Sequence, residues 1–313
     1  MIAPLAGRTR PELPQTDLEK GSAMLEIPSV PVRGWFRKRV VIPAALAVAA
    51  VAVPAVSPAV SSASASPAPV AAQSRHSARP TVVLVHGAFA DSSSWSAVLA
   101  RLRHDGYPVI AAANPLRGLD SDSAYVSSLL ATVPGPVVLV GHSYGGEVIT
   151  NAAVGHPNVK ALVYVAAFAP AEGESAVELT GLNPGSRLGA ALVVRPYAVA
   201  GGAGADGYVD PAQFRAVMAA DLRAADTELL AAEQRPVDLA ALQAPSGVPA
   251  WKTIPSWYLV AGADQAIPAA TERFMAERAG ARTVVVDGAS HLVMLSHPGQ
   301  VENLIVQAAG ATG

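Results

Sequence analysis

Cysteine is absent from this chain of 313 residues. That excludes a disulfide framework, thiolate zinc sites, iron–sulfur clusters and a cysteine nucleophile. Charge is sparse as well. Asp, Glu, Lys and Arg make up 15% of the chain, and 22 basic residues against 24 acidic ones leave a net charge of −2. No bulk positive field exists to hold nucleic acid. Aromatics are only 5%, and beyond residue 65 the only lysines are Lys160 and Lys252. Aliphatic residues fill the space, bringing hydrophobic content to 51%. A disordered chain needs low hydrophobicity and high net charge, so that class is excluded too. At roughly 150 residues per domain, the length admits one large domain or two small ones.

Residues 1–80 read differently from the rest. Arg37-Lys38-Arg39 precedes Val40–Val53, a charge-free run rich in Ala and Val, and a Ser/Ala/Pro tract follows from Ser57 to Ala72. A basic region, a short apolar run and a small-residue site describe an export signal, here with Ala63-Ser64-Ala65 as the cleavage site. The run falls short of the roughly 20 apolar residues that cross a bilayer. Residues 1–65 are therefore expected to be a signal peptide or membrane anchor, and 66–80 a Pro/Ala/Ser-rich linker. The protein is expected to be secreted or cell-surface anchored, touching a membrane only through an uncleaved N-terminal segment. Met24 is an alternative start that would give the basic region an ordinary length.

From residue 81 short apolar β-branched runs alternate with helical patterns. The expected strands are Thr81–Val85, Pro108–Ala112, Val137–Val140, Ala161–Ala166, Ser256–Ala261 and Thr283–Asp287. Runs that are apolar throughout suit parallel strands covered on both faces, and strand–helix alternation means right-handed βαβ units. Residues 81–313 should form one α/β domain. The alternation fails at about 170–254, where two helical stretches, Pro211–Ala224 and Thr227–Gln234, suggest an inserted cap over the carboxyl edge of the sheet.

The strongest local signal is Gly141-His142-Ser143-Tyr144-Gly145-Gly146, between a strand and a helix. It matches the nucleophile elbow G-x-S-x-G in the context that the elbow needs. A sharp turn thrusts the Ser143 hydroxyl above the sheet, and a Cβ at 141 or 145 would collide with the neighbouring strand or helix. A serine hydroxyl needs a base. Of the seven histidines, His86 and His142 sit beside glycines in tight turns and are expected to hold backbone, whereas His291 lies in the loop after the last strand. Asp264 follows the penultimate strand and is the expected partner of His291, with an N-cap for the next helix as its other use. The order Ser143…Asp264…His291 is the one expected on such a sheet. The oxyanion donors should be the N–H groups of Tyr144 and of Ala88, in the loop His86-Gly87-Ala88-Phe89. Phe89 and Leu292 are the expected substrate contacts, with Tyr197, Tyr208 and Phe214 as further lining candidates. Glu147, in the first turn of the elbow helix, is read as a carboxylate favoured by the helix dipole.

Together these residues resemble the α/β-hydrolase superfamily over about Pro80 to Ala309. Ser256-Trp257-Tyr258-Leu259-Val260, Phe274–Arg278 and Gly288–Met294 are similar to a bacterial branch related to the plant hydroxynitrile lyase and methyl-esterase group. The resemblance implies a mostly parallel sheet of about six strands, helices on both faces, a small helical cap, no metal and no cofactor. It implies a carboxylesterase-like serine hydrolase that takes small, fairly apolar ester molecules through an acyl-enzyme. Lyase activity in the plant group relies on a lysine near the triad and a threonine in the first loop. Here Ala88 and Phe89 occupy that loop, and Lys252 precedes its strand. Cofactor-free haloperoxidase or perhydrolase, amidase and hydroxynitrile-lyase-like chemistry are the alternatives on the same residues.

Overall fold

The computed structural model describes residues 79–199 and 202–311. The signal or anchor segment and nearly all of the linker lie outside the described residues. The chain opens with β1 (Thr81–Val85), a 3-10 turn at Ser92–Trp95, α1 (Ser96–His104), β2 (Val109–Ala112), α2 (Leu119–Thr132), β3 (Val137–Ser143), α3 (Tyr144–Ala152) and β4 (Val159–Ala167). An inserted segment follows, with α4 (Ala176–Gly181), α5 (Leu188–Ala191), β5 (Leu192–Val199), β6 (Gly202–Val209), α6 (Pro211–Met218), α7 (Ala224–Glu233), β7 (Val237–Asp238) and α8 (Leu239–Gln243). The chain then returns through a 3-10 turn at Ala250–Lys252, β8 (Ser256–Ala261), α9 (Ala269–Arg278), β9 (Arg282–Val286), α10 (Val293–Ser296) and α11 (Pro298–Gly310).

Six strands form one sheet in the order β2-β1-β3-β4-β8-β9, and every pair is parallel. Each expected strand is present. All seven residues of β3 and all six of β8 are buried, as a doubly covered strand requires. The edge strand β9 departs from that pattern, leaving Arg282, Thr283 and Val285 exposed. Helices follow their apolar stripes. In α11, Val301, Leu304, Ile305 and Ala308 recur at helical spacing and are all buried. Tyr164 of β4 stacks on Tyr258 of β8 with ring centroids 5.8 Å apart, and the Tyr258 hydroxyl donates to the Ala167 carbonyl. Among the described residues no helix is long and apolar enough to cross a membrane.

The strand order carries the function. From β1 the chain steps outward to β2, then crosses back to β3 and continues the other way. Parallel sheets open a crevice where the winding reverses, at the carboxyl ends of the strands. Here that point lies between β1 and β3, whose register pairs Val85 with Gly141. The loop starting at His86 and the turn at Ser143 are therefore neighbours by topology.

The segment between β4 and β8 contains helices where the sequence suggests them: α6 and α7 fall within or beside the two helical stretches. It also holds an antiparallel sheet, β5-β6-β7, that the expectation of a helical cap did not include. Residues 192–199 pair with 209–202 along their whole length. Its strands carry poor strand signals. β6 reads Gly-Ala-Gly-Ala-Asp-Gly-Tyr-Val, and β5 contains Pro196. Gly204 is a glycine because the Tyr197 ring lies across it, and a Cβ there would come within 2.4 Å of that ring.

Candidate active site

β3 ends and α3 begins at Ser143, whose backbone is forced to φ 52° and ψ −126°. An L-residue rarely adopts that conformation, so the turn is strained. The flanking glycines make it possible. A Cβ on Gly141 would lie 2.5 Å from the Gly145 carbonyl oxygen, and one on Gly145 would lie 2.5 Å from the Val85 oxygen and 2.8 Å from the His86 oxygen. Gly87 is equally tight, since a Cβ there would sit 2.6 Å from the Ser143 Cβ. The first loop and the elbow thus pack backbone against backbone, which brings Ala88 beside Ser143 and Tyr144.

Asp264 and His291 meet below this surface. His291 Nδ1 donates to Asp264 Oδ2 at 2.6 Å, and the two residues are 1% and 4% exposed. The other oxygen, Oδ1, accepts from the Ala266 and Ile267 amides at 2.6 and 2.9 Å. Asp264 thus closes the turn before α9 with one oxygen and holds the imidazole with the other. His142 holds the same loop: its Nε2–H donates to the His291 carbonyl at 3.0 Å, with the two rings 4.7 Å apart. Burial, and then the neighbouring His291, hold the His142 pKa well below the ordinary histidine value. His86 donates from Nδ1 to the Gly87 carbonyl at 3.0 Å, and burial lowers its pKa to about 4. Both histidines therefore support backbone, as the sequence suggests.

Two buried carboxyl groups add what the sequence did not show. The Tyr144 hydroxyl donates to Asp122 Oδ2 at 2.9 Å, and Asp122 also accepts the Arg117 amide at 3.1 and 3.2 Å. This ties the first residue of α3 to α2. Glu272 of α9 is fully buried and accepts the Ala261 amide at 3.1 Å. Burial, the adjacent Asp264 charge and a hydrogen bond with Asp264 push its pKa well above the usual carboxylate range, so Glu272 keeps its proton beside that aspartate. Asp264 and Glu272 lie eight positions apart on either side of a turn, a spacing with no periodic signature.

Glu147 corrects the reading of it as a dipole-favoured anion. It occupies the first turn of α3, but it is fully buried and neither carboxyl oxygen has a hydrogen-bond partner. Burial raises its pKa well above the ordinary value, so the neutral acid is the folded form. The sign follows directly. The fold binds this proton more tightly than the unfolded chain does, so the stabilisation is complete below the unfolded glutamate value and lost as pH rises. Glu147→Gln is therefore expected to raise thermal stability, by more at about pH 8 than at about pH 5. Melting curves at the two pH values check this, and an equal gain at both would contradict it.

Ser143 opens onto a cavity of about 500 Å³. Its floor is Ala88, Phe89, Ser143, Tyr144 and Phe168. The inserted segment supplies the walls, from Ala176 to Leu192 with Leu242 added. Among the described residues, none that carries a charge lines it. Leu292 lines a neighbouring crevice that shares Phe89 with this cavity. Its amide donates to the Met218 carbonyl at 2.9 Å, and with Phe89, Phe214, Leu230 and Leu295 it lines this crevice of about 60 Å³. Tyr197 is also absent from the cavity; its hydroxyl donates to Asp238. Tyr208 packs under the Arg195 guanidinium at 5.0 Å. Lys160 and Lys252 line a separate cavity beside Val159 and Pro255, at the amino ends of β4 and β8, which is the edge opposite Ser143.

With this geometry the chain matches the alpha/beta hydrolase family over residues 82–304, and it belongs to that family. Two relatives and one solved structure are similar to it. It is 28% identical over 255 residues to an alpha/beta hydrolase of Aspergillus novofumigatus, covering 74% of this chain and 97% of that one. It is 34% identical over 110 residues to a carbendazim-hydrolysing esterase of a Nocardioides species, covering 31% of this chain and 46% of that protein. In three dimensions it is similar to polyneuridine aldehyde esterase, with a TM-score of 0.64 at 22% identity, covering 73% of this chain and 98% of the other.

Proposed function

We propose that this chain is a serine carboxylic-ester hydrolase for small, uncharged and largely apolar esters. One observation carries the reading: an uncharged cavity of about 500 Å³ opens on a strained serine at the carboxyl edge of the sheet, and the loops after β8 and β9 on that same edge hold a buried Asp–His pair. A volume of this order suits a small organic ligand. The esterases among the relatives agree with it.

In this reading His291 Nε2 takes the Ser143 proton as Oγ attacks the ester carbonyl carbon. The negative charge on the carbonyl oxygen falls to the N–H groups of Ala88 and Tyr144, which are fixed before the reaction and need no reorganisation. The C–O bond to the alcohol then breaks, and the alcohol leaves with the proton from His291. Water, deprotonated by His291, attacks the acyl-enzyme and releases the acid. Asp264 keeps the imidazole in the required tautomer and stabilises its charged form. The lack of a lysine in the cavity weighs against cyanohydrin cleavage. The leader composition supports export, with a mature chain beginning at Ser66, which N-terminal sequencing of protein from the medium would check.

The test is a panel of p-nitrophenyl esters run beside labelling with a fluorophosphonate probe. Acetate and butyrate esters should turn over, and a succinate half-ester, carrying one charge into the same cavity, should be at least tenfold poorer in kcat/KM, about 1.4 kcal/mol. The probe should modify Ser143. No labelling and no ester turnover would overturn the reading.

A further inference from the structure

Asp221 lies in the turn between α6 and α7, outside the cavity. Both of its oxygens engage one residue: Oδ1 accepts the Ser290 hydroxyl, and Oδ2 accepts the Ser290 amide at 3.3 Å. Oδ2 is also 3.6 Å from His297 Nδ1. Burial pushes the Asp221 carboxyl up, but the Ser290 hydroxyl, the Ser296 hydroxyl and the Ser290 amide outweigh it, leaving the pKa below the ordinary aspartate value. Three residues earlier, the Met218 carbonyl accepts the Leu292 amide at 2.9 Å.

Ser290 and Leu292 are the two neighbours of His291. Both are fastened to one four-residue stretch of the inserted segment. Asp264 fixes the imidazole at Nδ1, and His142 fixes the His291 carbonyl. The Ala263 amide on the Ala289 carbonyl at 2.9 Å and the His142 ring on the His291 carbonyl hold this loop backbone from the sheet side, and Asp221 and Met218 hold it from the inserted segment. A base must reach the serine proton within about 3 Å, and a displacement of about 1 Å costs on the order of 10²-fold in rate.

We propose that Asp221 is a positioning residue for His291: by gripping Ser290 it sets the height and tilt of the base over Ser143, and so couples the inserted segment to the chemistry. This rests on the reaction proposed above, in which His291 is the base. Asp221 touches neither substrate nor the reacting atoms, so it works only through the loop.

The experiment compares Asp221→Ala, Asp221→Asn, Ser290→Ala and the double variant Asp221→Ala/Ser290→Ala in the full-length protein. Asp221→Ala should lower kcat for p-nitrophenyl butyrate at least tenfold with KM within threefold, and should slow fluorophosphonate labelling to match. Asn keeps one acceptor for the Ser290 hydroxyl, so Asp221→Asn should recover part of the loss. The double variant should be no slower than Asp221→Ala, because the two side chains act as one unit. Ser290→Ala is the milder change and keeps the test open if Asp221→Ala fails to fold. The downfield imidazole Nδ1–H proton resonance of His291 provides a readout independent of turnover, and it should shift or broaden in Asp221→Ala. Unchanged kcat, labelling rate and resonance in Asp221→Ala and Ser290→Ala would overturn the proposal. A shifted resonance in a chain that cleaves no ester would instead uphold the positioning role and overturn the assigned reaction.

Discussion

Ser143→Ala is expected to lower kcat for p-nitrophenyl butyrate by about 10⁶-fold, leaving only background hydrolysis by the bound state. The hydroxyl is the sole atom removed, so the Cβ and the backbone strain stay the same and the melting temperature should barely move. His291→Ala should cost nearly as much, and the double variant hardly more, because nucleophile and base act together. Asp264→Asn should cost about 10⁴-fold, since the amide leaves the shape but favours the wrong tautomer. Steady-state kinetics with purified variants check all four. The strained backbone adds a contrast. Ser143→Gly removes the penalty of φ 52°, which is on the order of 1–3 kcal/mol, although glycine also loosens the unfolded chain. It should therefore be as inactive as Ser143→Ala and more stable by ~1 kcal/mol. If the glycine variant melts below the alanine variant, the turn is not strained.

The second large effect is expected at Gly145. An alanine Cβ there would meet two backbone oxygens, Val85 at 2.5 Å and His86 at 2.8 Å. Neither can swing away as a side-chain tip could, so either the first loop or α3 must shift. Overpacking of this kind costs about 1–3 kcal/mol, and more where backbone is involved. The same shift moves the Ala88 and Tyr144 amides relative to each other, so kcat should fall by roughly 10²–10³-fold, the effect of losing one oxyanion donor. Gly310→Ala in α11 is the control, because nothing lies within 4 Å of the added Cβ. It should gain up to ~1 kcal/mol and leave activity unchanged. A Gly145→Ala variant with normal kcat and melting temperature would show that the elbow is looser than these contacts imply.

The parallel core and the elbow were legible for one reason. Buried parallel strands must be apolar throughout, and a strained turn must be built from glycine, so both leave marks in short stretches of sequence. His142 and His86 could be assigned to backbone support for the same local reason. The antiparallel sheet was hidden because β6 gains its place by pairing with β5 and leaving room for Tyr197, not by carrying β-branched residues. Glu272 and Asp122 could not be found either, because their partners are set by tertiary packing and no periodic spacing points to them. Leu292 lines a neighbouring crevice and not the main cavity, because being next to His291 in sequence does not put a side chain on the same wall. The Met218 carbonyl ties its backbone, and its side chain faces the other crevice.

The cavity walls come almost entirely from one unbroken stretch of chain, Ala176 to Leu192, whereas the reacting groups come from loops after β1, β3, β8 and β9. On the proposed reaction, most of the cavity wall and the reacting groups are thus written in separate passages of the sequence. An exchange of about seventeen residues between related chains could transplant a new preference without touching Ser143, Asp264 or His291. Such a graft would have to keep the buried Ala176, Leu179 and Ala191, the Leu192–Val209 strand pair, the Ala191 carbonyl under the Asp210 amide, and the polar contacts of Ser186 with Ala266, Arg187 with Gln265 and Asn183 with Thr271. Those contacts mark where a donor segment must match its host, and the other wall positions are open to drift as the available esters change.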